Sequence, residues 1–341
     1  MVPPLNRAPS SAQVSSPATV LVVGEALVDE FDDGSRVAGG APFNVARWLA
    51  ALGVPTCFVS RVGRGDAGAR CLLDSAQRVG LSVQDVQLDD LYPTGRVLVT
   101  RTHGGHQFTI GSPAAWDHID PDLALQALQA ALPRVVVFGT LAQRHQTSRK
   151  AITQLLQSTN ALRVADLNLR AGTDIVELAE HTLNLADWLK VNEDEWAQLL
   201  TWFAPGTQQG RAESRSASSA QAQQAQQALM HRFQLQRVVV TCGERGWFTL
   251  DAAGFVDARG SAQAVPRLVD TVGAGDSFLA VLVAGLAWQQ PLGESLQRAN
   301  RLAAALCGQH GAMPHDDAFI SHWRDQLAPF RAPHNQASPN P

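Results

Sequence analysis

A short glycine-rich turn carries residue types that suit phosphoryl transfer. Residues 270–278 read DTVGAGDSF, and the apolar run LAVLVAGLA completes a predicted helix. Gly273, Ala274 and Gly275 would form a tight turn at the N-terminus of that helix. There, free backbone N–H groups and the helix dipole favour an anion.

Asp276 follows this turn directly and would repel a simple phosphate ligand. Its carboxylate makes sense as a base that takes a proton from an attacking hydroxyl while the N–H groups hold the transferring phosphoryl. The alternative is that Asp276 only caps the helix, because aspartate is common at that position.

A second glycine turn, AGGAPFN at residues 38–44, has the character of a sugar-binding loop. Gly39 and Gly40 let the backbone approach a ligand closely, and Asn44 offers both a donor and an acceptor to hydroxyl groups. Asp29, after the first strand, could accept two hydroxyl hydrogen bonds. Ordinary turns would explain the glycines and Asp29 equally well.

The elements that must position these residues alternate between strands and helices, which predicts an α/β fold with a doubly wound, mostly parallel sheet. Ligands of such sheets bind at the carboxyl ends of the strands. The predicted strands are 19–24, 56–62, 135–139, 163–167, 188–191 and 237–241. The predicted helices are 42–52, 66–80, 121–132, 147–158, 175–184 and 193–202.

Several segments depart from this alternation. Segments 28–38 and 95–110 look like antiparallel strands that form a small sheet, serving as a lid or as the contact of a homodimer. Segment 205–228 is mostly Gln, Ala and Ser and is interpreted as a polar insertion that leads into the next helix. The ends, 1–17 and 331–341, are predicted to be disordered tails.

Composition excludes several classes of partner. The 341 residues are 45% hydrophobic and 17% charged, with a net charge of −4, so no broad basic surface for nucleic acid or an anionic membrane is expected. Apolar runs fall short of the ~18 residues of a membrane span. The four cysteines lie far apart without metal-binding spacing, as expected of a cytoplasmic protein.

Together, these segments resemble the ribokinase-like carbohydrate kinases, the PfkB family, and most of all the fructokinases. The first family signature is matched by AGGAPFNVARWLAALG with Gly63 downstream, and the second by DTVGAGDSFLAVLVAGL. The two lie in the right order, about 230 residues apart. The resemblance implies a kinase domain over 18–330, with ribokinase-like fold and a small β-sheet lid, that transfers the γ-phosphoryl of ATP to a sugar hydroxyl.

The resemblance also assigns roles to matching positions. Asp276 matches the catalytic base. Its anion hole is formed by Gly273, Ala274 and Gly275. The positions that contact the sugar are Asp29, Gly39, Gly40 and Asn44. The positions that line the nucleotide are Asn192, Glu195, Thr241, Gly243, Glu244, Gly246 and, near the adenine, Asn300.

Two kinds of metal ion are implied by the resemblance. Mg²⁺ accompanies the co-substrate ATP, and Asn192 and Glu195 match an N-x-x-E motif that places Mg²⁺ and phosphate, largely through water. Mg²⁺ keeps several waters and needs only one or two carboxylates, which agrees with that motif. A helix cap with a first-turn acid is the alternative reading of this pair. Asp270 matches a site for a monovalent cation such as K⁺.

The choice of sugar depends on residues 166–170, DLNLR, which resemble the fructokinase and keto-sugar-acid kinase branches. Arg170 could hold the γ-phosphate or a substrate carboxylate, or form a surface salt bridge. Ribokinases place an acidic residue near 138–142, where this chain has FGTLA. Fructose is therefore predicted, with 2-keto-3-deoxygluconate as the alternative because Arg170 and Arg101 could each meet a carboxylate.

Three rival classes are disfavoured. The first βα turn reads GEALVDE and lacks the G-x-G-x-x-G of dinucleotide-binding oxidoreductases. The chain also lacks the GxxxxGK[ST] of P-loop kinases. A non-catalytic sugar sensor on the same fold would not need Asp276 beside its glycine turn.

Overall fold

The chain forms one large sheet, covered by helices on both faces, and one small separate sheet. The computed structural model describes residues 19–102, 105–169, 175–204, 219–265 and 267–328. The strands are β1 (Val20–Val23), β2 (Leu27–Phe31), β3 (Arg36–Gly39), β4 (Thr56–Gly63), β5 (Val86–Asp89), β6 (Gly95–Thr102), β7 (Gly105–Ile110), β8 (Val135–Gly139), β9 (Leu162–Asp166), β10 (Trp188–Asn192), β11 (Arg237–Thr241), β12 (Trp247–Leu250) and β13 (Val256–Gly260).

Ten α-helices lie within the described residues. They are α1 (Ala41–Ala51), α2 (Ala67–Arg78), α3 (Pro121–Ala131), α4 (Gln146–Gln157), α5 (Ile175–Leu185), α6 (Glu193–Phe203), α7 (Ser219–Phe233), α8 (Ala274–Ala287), α9 (Leu292–Leu306) and α10 (Asp317–Leu327). The predicted helices agree with α1 to α6 to within about two residues at each end, which is the usual uncertainty of helix boundaries.

The large sheet has nine strands in the order β13-β12-β11-β10-β9-β8-β1-β4-β5. Neighbouring strands run parallel except at one edge, where β12 is antiparallel to both β11 and β13. Residues 242–246, which join β11 to β12, are too few for the crossover that a parallel pair requires. The predicted doubly wound, mostly parallel sheet is confirmed, while its antiparallel edge was not predicted.

The core occupies both faces of this sheet, as the alternation within β1 shows. Val20 and Val22 point to the face covered by α1, α2, α8, α9 and α10. Leu21 and Val23 point to the face covered by α3 to α7. The side chains of successive strand residues point to opposite faces, so a strand buried on both sides is apolar throughout.

The small sheet has the strand order β3-β2-β6-β7. β2–β3 and β6–β7 are antiparallel hairpins, as predicted, but the two hairpins are joined by a parallel pairing of β2 with β6. Leu27, Val97 and Val99 form an apolar cluster on the face toward the large cleft of the protein. The sheet is thus placed as a lid would be, and its closure over substrates stays a prediction.

Part of the segment interpreted as a polar insertion is helical. α7 begins at Ser219, and its residues Ala225, Leu229 and Met230 are buried against the large sheet. The apolar residues of this glutamine-rich run are few, so the helix that was expected to follow the insertion begins earlier than predicted. The rest of the insertion, 205–218, and the two predicted tails lie outside the described residues.

None of the helices within the described ranges is both long enough and apolar enough to cross a lipid bilayer.

Candidate active site

A cleft of about 2700 Å³ lies between the small sheet and the carboxyl ends of the central strands. This volume is larger than one small ligand needs, so two substrates can share the cleft. Arg170 lies outside the described residues. The other predicted site residues all line the cleft: Asp29, Gly39, Gly40, Asn44, Asn192, Glu195, Thr241, Gly243, Glu244, Gly246, Asp270, Gly273, Ala274, Gly275, Asp276 and Asn300.

Residues 273–275, called the GAG turn below, form the N-terminus of α8. Gly273 is the N-cap with φ +78°, and a Cβ built on it would lie 2.5 Å from the Cα of Ala312. Glycine is therefore required both by the backbone conformation and by the close approach. The N–H of Ala274 donates to the carbonyl of Thr271 at 3.2 Å, at the long end of the usual range for such a bond.

Asp276 is the third residue of α8 and not its cap, since Gly273 occupies that position. The carboxylate is only 8% exposed and lines the cleft. Its Oδ2 accepts a hydrogen bond from Nδ2 of Asn44 at 2.7 Å. Residues 232 positions apart in sequence, one from each glycine turn, are thus in direct contact. The alternative reading of Asp276 as a helix cap does not fit its place in the helix.

The orientation of Asn44 is determined by Arg47, a residue that sequence reasoning missed. Arg47 donates to the side-chain oxygen of Asn44, and also to the carbonyl of Ala38 at 3.1 Å and to Oγ of Ser75 at 2.8 Å. Since the Asn44 oxygen faces Arg47, its amide N–H₂ faces Asp276. The signal was present in the sequence, because Arg47 lies within the apolar run of α1.

Arg47 remains a cation despite its burial. It is 3% exposed, and burial together with repulsion from Arg78 lowers the pKa of its guanidinium to about 10, while Asp276 acts in the opposite direction. At neutral pH the group is still protonated. Arg47, Asn44 and Asp276 therefore form one buried hydrogen-bonded chain that ends at the predicted base.

Replacing Arg47 tests this chain. We expect Arg47→Met to lower kcat/KM for the sugar by about tenfold or more, because a hydrogen bond to a charged group contributes ~1.5–3 kcal/mol and its loss frees the Asn44 amide to rotate. Arg163→Met is the matched control, since Arg163 pairs with Asp187 at 2.6 Å outside the cleft. Steady-state kinetics that show equal, less than twofold effects for both variants would contradict the positioning role.

Lys190 is a second residue that sequence reasoning missed. Its ammonium lies 3.1 and 3.2 Å from the two oxygens of Asp166, and both side chains are buried. Burial by itself would lower the pKa of Lys190, but attraction to Asp166, Asp276 and Glu195 raises the pKa above its ordinary value. Lys190 is consequently a permanent cation on the floor of the cleft.

Asn192 and Glu195 form a reciprocal cap at the start of α6. Oδ1 of Asn192 accepts from the N–H of Glu195, and Oε2 of Glu195 accepts from the N–H of Asn192, both at 2.9 Å. Oε1 of Glu195 also accepts from the N–H of Leu169 at 2.8 Å, which ties the loop after β9 to α6. The helix-cap reading of this pair is therefore confirmed, and it leaves a metal role open.

Glu195 suits Mg²⁺ bound through water better than Mg²⁺ bound directly. Burial and the neighbouring Asp166 raise the pKa of its carboxyl group, and both of its oxygens already accept backbone N–H groups. The described residues contain no cluster of three or more His, Cys, Asp or Glu side chains arranged to hold a metal ion. A contact of Glu195 with Mg²⁺ through water stays a prediction.

Part of the cleft is lined by the loop between β11 and β12 and by Asn300. Thr241 ends β11, and Gly246 has φ +94° at the close of the turn before β12. Nδ2 of Asn300 donates to the carbonyl of Ser261 at 2.8 Å, which fixes its amide beside the loop after β13. The predicted loop and Asn300 are thus brought to one wall, and their contacts with adenine stay a prediction.

Asp270 joins two loops beside the GAG turn. Its Oδ1 accepts from the N–H of Val272 at 2.9 Å, and its Oδ2 accepts from the N–H of Gly311 at 3.0 Å. These bonds connect the segment before α8 to the segment after α9. The carboxylate has a structural role here, and the predicted monovalent cation stays a prediction.

This arrangement defines a class of protein. A buried carboxylate beside a helix N-terminus can take a proton from a hydroxyl while backbone N–H groups hold a phosphoryl. The sequence matches the pfkB family carbohydrate kinases over residues 17–318, and the chain belongs to that family. It is therefore a phosphotransferase with a sugar acceptor, and the predicted family is confirmed.

Curated relatives span more than one activity. The chain is 30% identical over 329 residues to the bifunctional protein HldE of Methylobacillus flagellatus. This match covers 89% of this chain and 62% of HldE. It therefore spans less than two thirds of that relative. The chain is also 29% identical over 283 residues to a fructokinase of Klebsiella pneumoniae. That match covers 79% of this chain and 84% of the fructokinase.

Solved structures show the same fold. A double mutant of Vibrio cholerae O395 fructokinase, with fructose, ADP and potassium ion bound, is 24% identical with a TM-score of 0.70 over 90% of this chain and 98% of that one. Arabidopsis thaliana ribokinase, with ribose and ATP bound, is 21% identical with a TM-score of 0.72 over 91% and 99%. The ribokinase-like fold is confirmed by both likenesses.

Proposed function

We propose that this carbohydrate kinase is an ATP-dependent fructokinase that works with Mg²⁺. The kinase mechanism rests on the 2.7 Å hydrogen bond between Asn44 and Asp276. This bond joins the glycine loop at residues 38–44, where the sugar would bind, to the GAG turn, where the phosphoryl group would bind. The choice of fructose is supported by the fructokinase relative from Klebsiella pneumoniae and by the FGTLA and DLNLR segments.

The sugar would bind beneath the small sheet. Oδ2 of Asp29 lies close to Gly39, 3.2 Å from the position where a Cβ would stand. A sugar hydroxyl placed between Asp29 and Asn44 would have a carboxylate acceptor on one side and an amide donor and acceptor on the other. The reacting hydroxyl would then donate to Asp276 as its oxygen attacks the γ-phosphorus.

ATP would lie along the wall formed by β11 and α9, with its γ-phosphoryl at the GAG turn. Gly273 and its neighbours offer backbone N–H groups to the developing charge. Asn192 and Glu195 would hold Mg²⁺ through water, and the ion would neutralise phosphate charge. Arg170 is proposed to contact the phosphoryl group as well.

A sugar-acid kinase is the second candidate, because Arg170 could bind a substrate carboxylate instead. Two arginines whose side chains the structure describes near residues 38–44 already have partners. Arg36 lies 2.9 Å from Glu30, and Arg47 contacts Asn44. This favours a neutral sugar beside residues 38–44, while the side chains of Arg101 and Arg170 lie outside the described residues.

A substrate panel tests the proposal. We expect kcat/KM for fructose to exceed kcat/KM for 2-keto-3-deoxygluconate and for ribose, with ADP formation measured under saturating MgATP. Arg170→Ala should lower kcat with fructose and change its KM less. Fructose would be the wrong substrate if kcat/KM were higher for the sugar acid, or if Arg170→Ala changed only KM for that acid. Either result would identify the acid as the substrate and leave the kinase assignment intact.

A further inference from the structure

Lys190 stands directly beneath the turn that is expected to hold the phosphoryl group. A Cβ built on Gly275 would lie 2.9 Å from Nζ of Lys190, so the ammonium packs against the backbone of Gly275. β10 carries this lysine beside Asp166 of β9, in direct register. Lys190 and Gly275 both line the cleft.

The hydrogen bonds of the ammonium leave room for a ligand. An ammonium has three N–H donors, and the hydrogen bonds described for Nζ go only to the two oxygens of Asp166. Two donors directed at one carboxylate leave a third for another acceptor. Gly275 has no side chain between the turn and the ammonium, so a ligand bound at the turn could accept from the third donor.

The charges of the site also call for a cation at this place. Asp166, Asp276 and Glu195 all line the cleft, and attraction to these three carboxylates raises the pKa of Lys190. A triphosphate brought among them would be repelled without compensating positive charge. Mg²⁺ bound with the nucleotide would supply part of that charge, and the Lys190 ammonium would supply more from the opposite side.

We propose that Lys190 is a catalytic residue whose Nζ donates a hydrogen bond to a non-bridging oxygen of the transferring phosphoryl group. The sugar oxygen forms its bond to phosphorus as the bond to the ADP oxygen breaks, and the hydroxyl proton passes to Asp276. Lys190 keeps its own protons throughout and stabilises the charge on the phosphoryl oxygens. The proposal rests on phosphoryl transfer at Asp276 and not on the identity of the sugar.

The competing explanation is that Lys190 only neutralises Asp166. A buried ion pair loses stability when one partner is removed, because the other charge is left unpaired. Removing both partners together relieves that penalty. Under the competing explanation, a double variant without either charge would regain both stability and turnover, whereas the catalytic role predicts a regain of stability alone.

The experiment compares Lys190→Met, Asp166→Asn and the double variant, each with the sugar that the wild-type protein phosphorylates best. Thermal unfolding is measured alongside kcat and KM. We expect Lys190→Met to lower kcat by about 10²–10³-fold, the range for the loss of one electrostatic donor, with a smaller change in KM for the sugar. Asp166→Asn should lower kcat by less than about tenfold, since the ammonium remains.

The double variant decides between the two explanations. We expect it to unfold at a higher temperature than Lys190→Met while its kcat stays as low. A kcat within about tenfold of wild type in the double variant or in Lys190→Met would overturn the proposal. An Asp166→Asn variant as impaired as Lys190→Met would overturn it as well. Because any accepted sugar can be used, failure of the fructose assignment leaves this test unaffected.

Discussion

Replacing Asp276 by asparagine is expected to lower kcat by roughly 10²–10⁴-fold, the usual range for the loss of a general base. The amide is the same size as the carboxylate, and its oxygen can still accept from Nδ2 of Asn44. It cannot take a proton from the sugar hydroxyl. Steady-state kinetics measure the loss, while calorimetric binding of ADP and thermal unfolding show whether the nucleotide site and the fold are retained.

Asp194→Asn is the matched control, because Asp194 is an exposed acid in the first turn of α6 and lies outside the cleft. Its kcat should stay within about twofold of wild type. Near-normal turnover by Asp276→Asn, in protein whose substitution has been verified by mass, would contradict the assignment of the base.

The second large effect is expected from Gly273→Ala. The residue has φ +78°, and a new Cβ would stand 2.5 Å from the Cα and Cβ of Ala312, so the turn has to move. Left-handed strain and overpacking each cost about 1–3 kcal/mol of unfolding free energy. A displacement of ~1 Å at the reacting centre can cost 10²-fold in rate. We therefore expect kcat to fall about 10²-fold.

Gly293→Ala provides the comparison. Gly293 lies in the first turn of α9, where an added Cβ meets nothing within 4 Å. Alanine there should raise the free energy of unfolding by ~0.4–1 kcal/mol, since it restricts the unfolded chain, and leave kcat unchanged. Chemical denaturation and kinetics on both variants separate the two cases. A Gly273→Ala variant with kcat within threefold of wild type would show that the turn geometry is not needed.

Strands were predictable where burial on both faces makes the sequence continuously apolar. The predicted bounds of β8 and β11 coincide with those observed, 135–139 and 237–241. β5 was missed because its burial runs against its polarity: Gln87 and Asp89 are buried, while Leu88 is exposed. The edge strands β12 and β13 were missed for a different reason, because they follow β11 as antiparallel neighbours without an intervening helix.

The site was predictable only where backbone requirements mark it. Glycine turns beside helix starts identified the segments around Gly40 and Gly273, whose positive φ values of +103° and +78° few other residues adopt. Lys190 and Asp166 left a weaker signal. Each is a charged residue in or at the end of an apolar strand, and such charges are rarely buried without a partner. Recognising them as a pair required the strand order, which places β9 beside β10.

The most direct test of the account is the stoichiometry of the wild-type reaction. Purified protein is incubated with MgATP and fructose, ADP is measured by a coupled assay, and the sugar phosphate is quantified by phosphorus NMR. If Asp276 is the base of a sugar kinase, we expect one sugar phosphate for each ADP and little ADP when sugar is omitted. ADP formation at the same rate with and without any sugar of the panel, and no sugar phosphate, would contradict it.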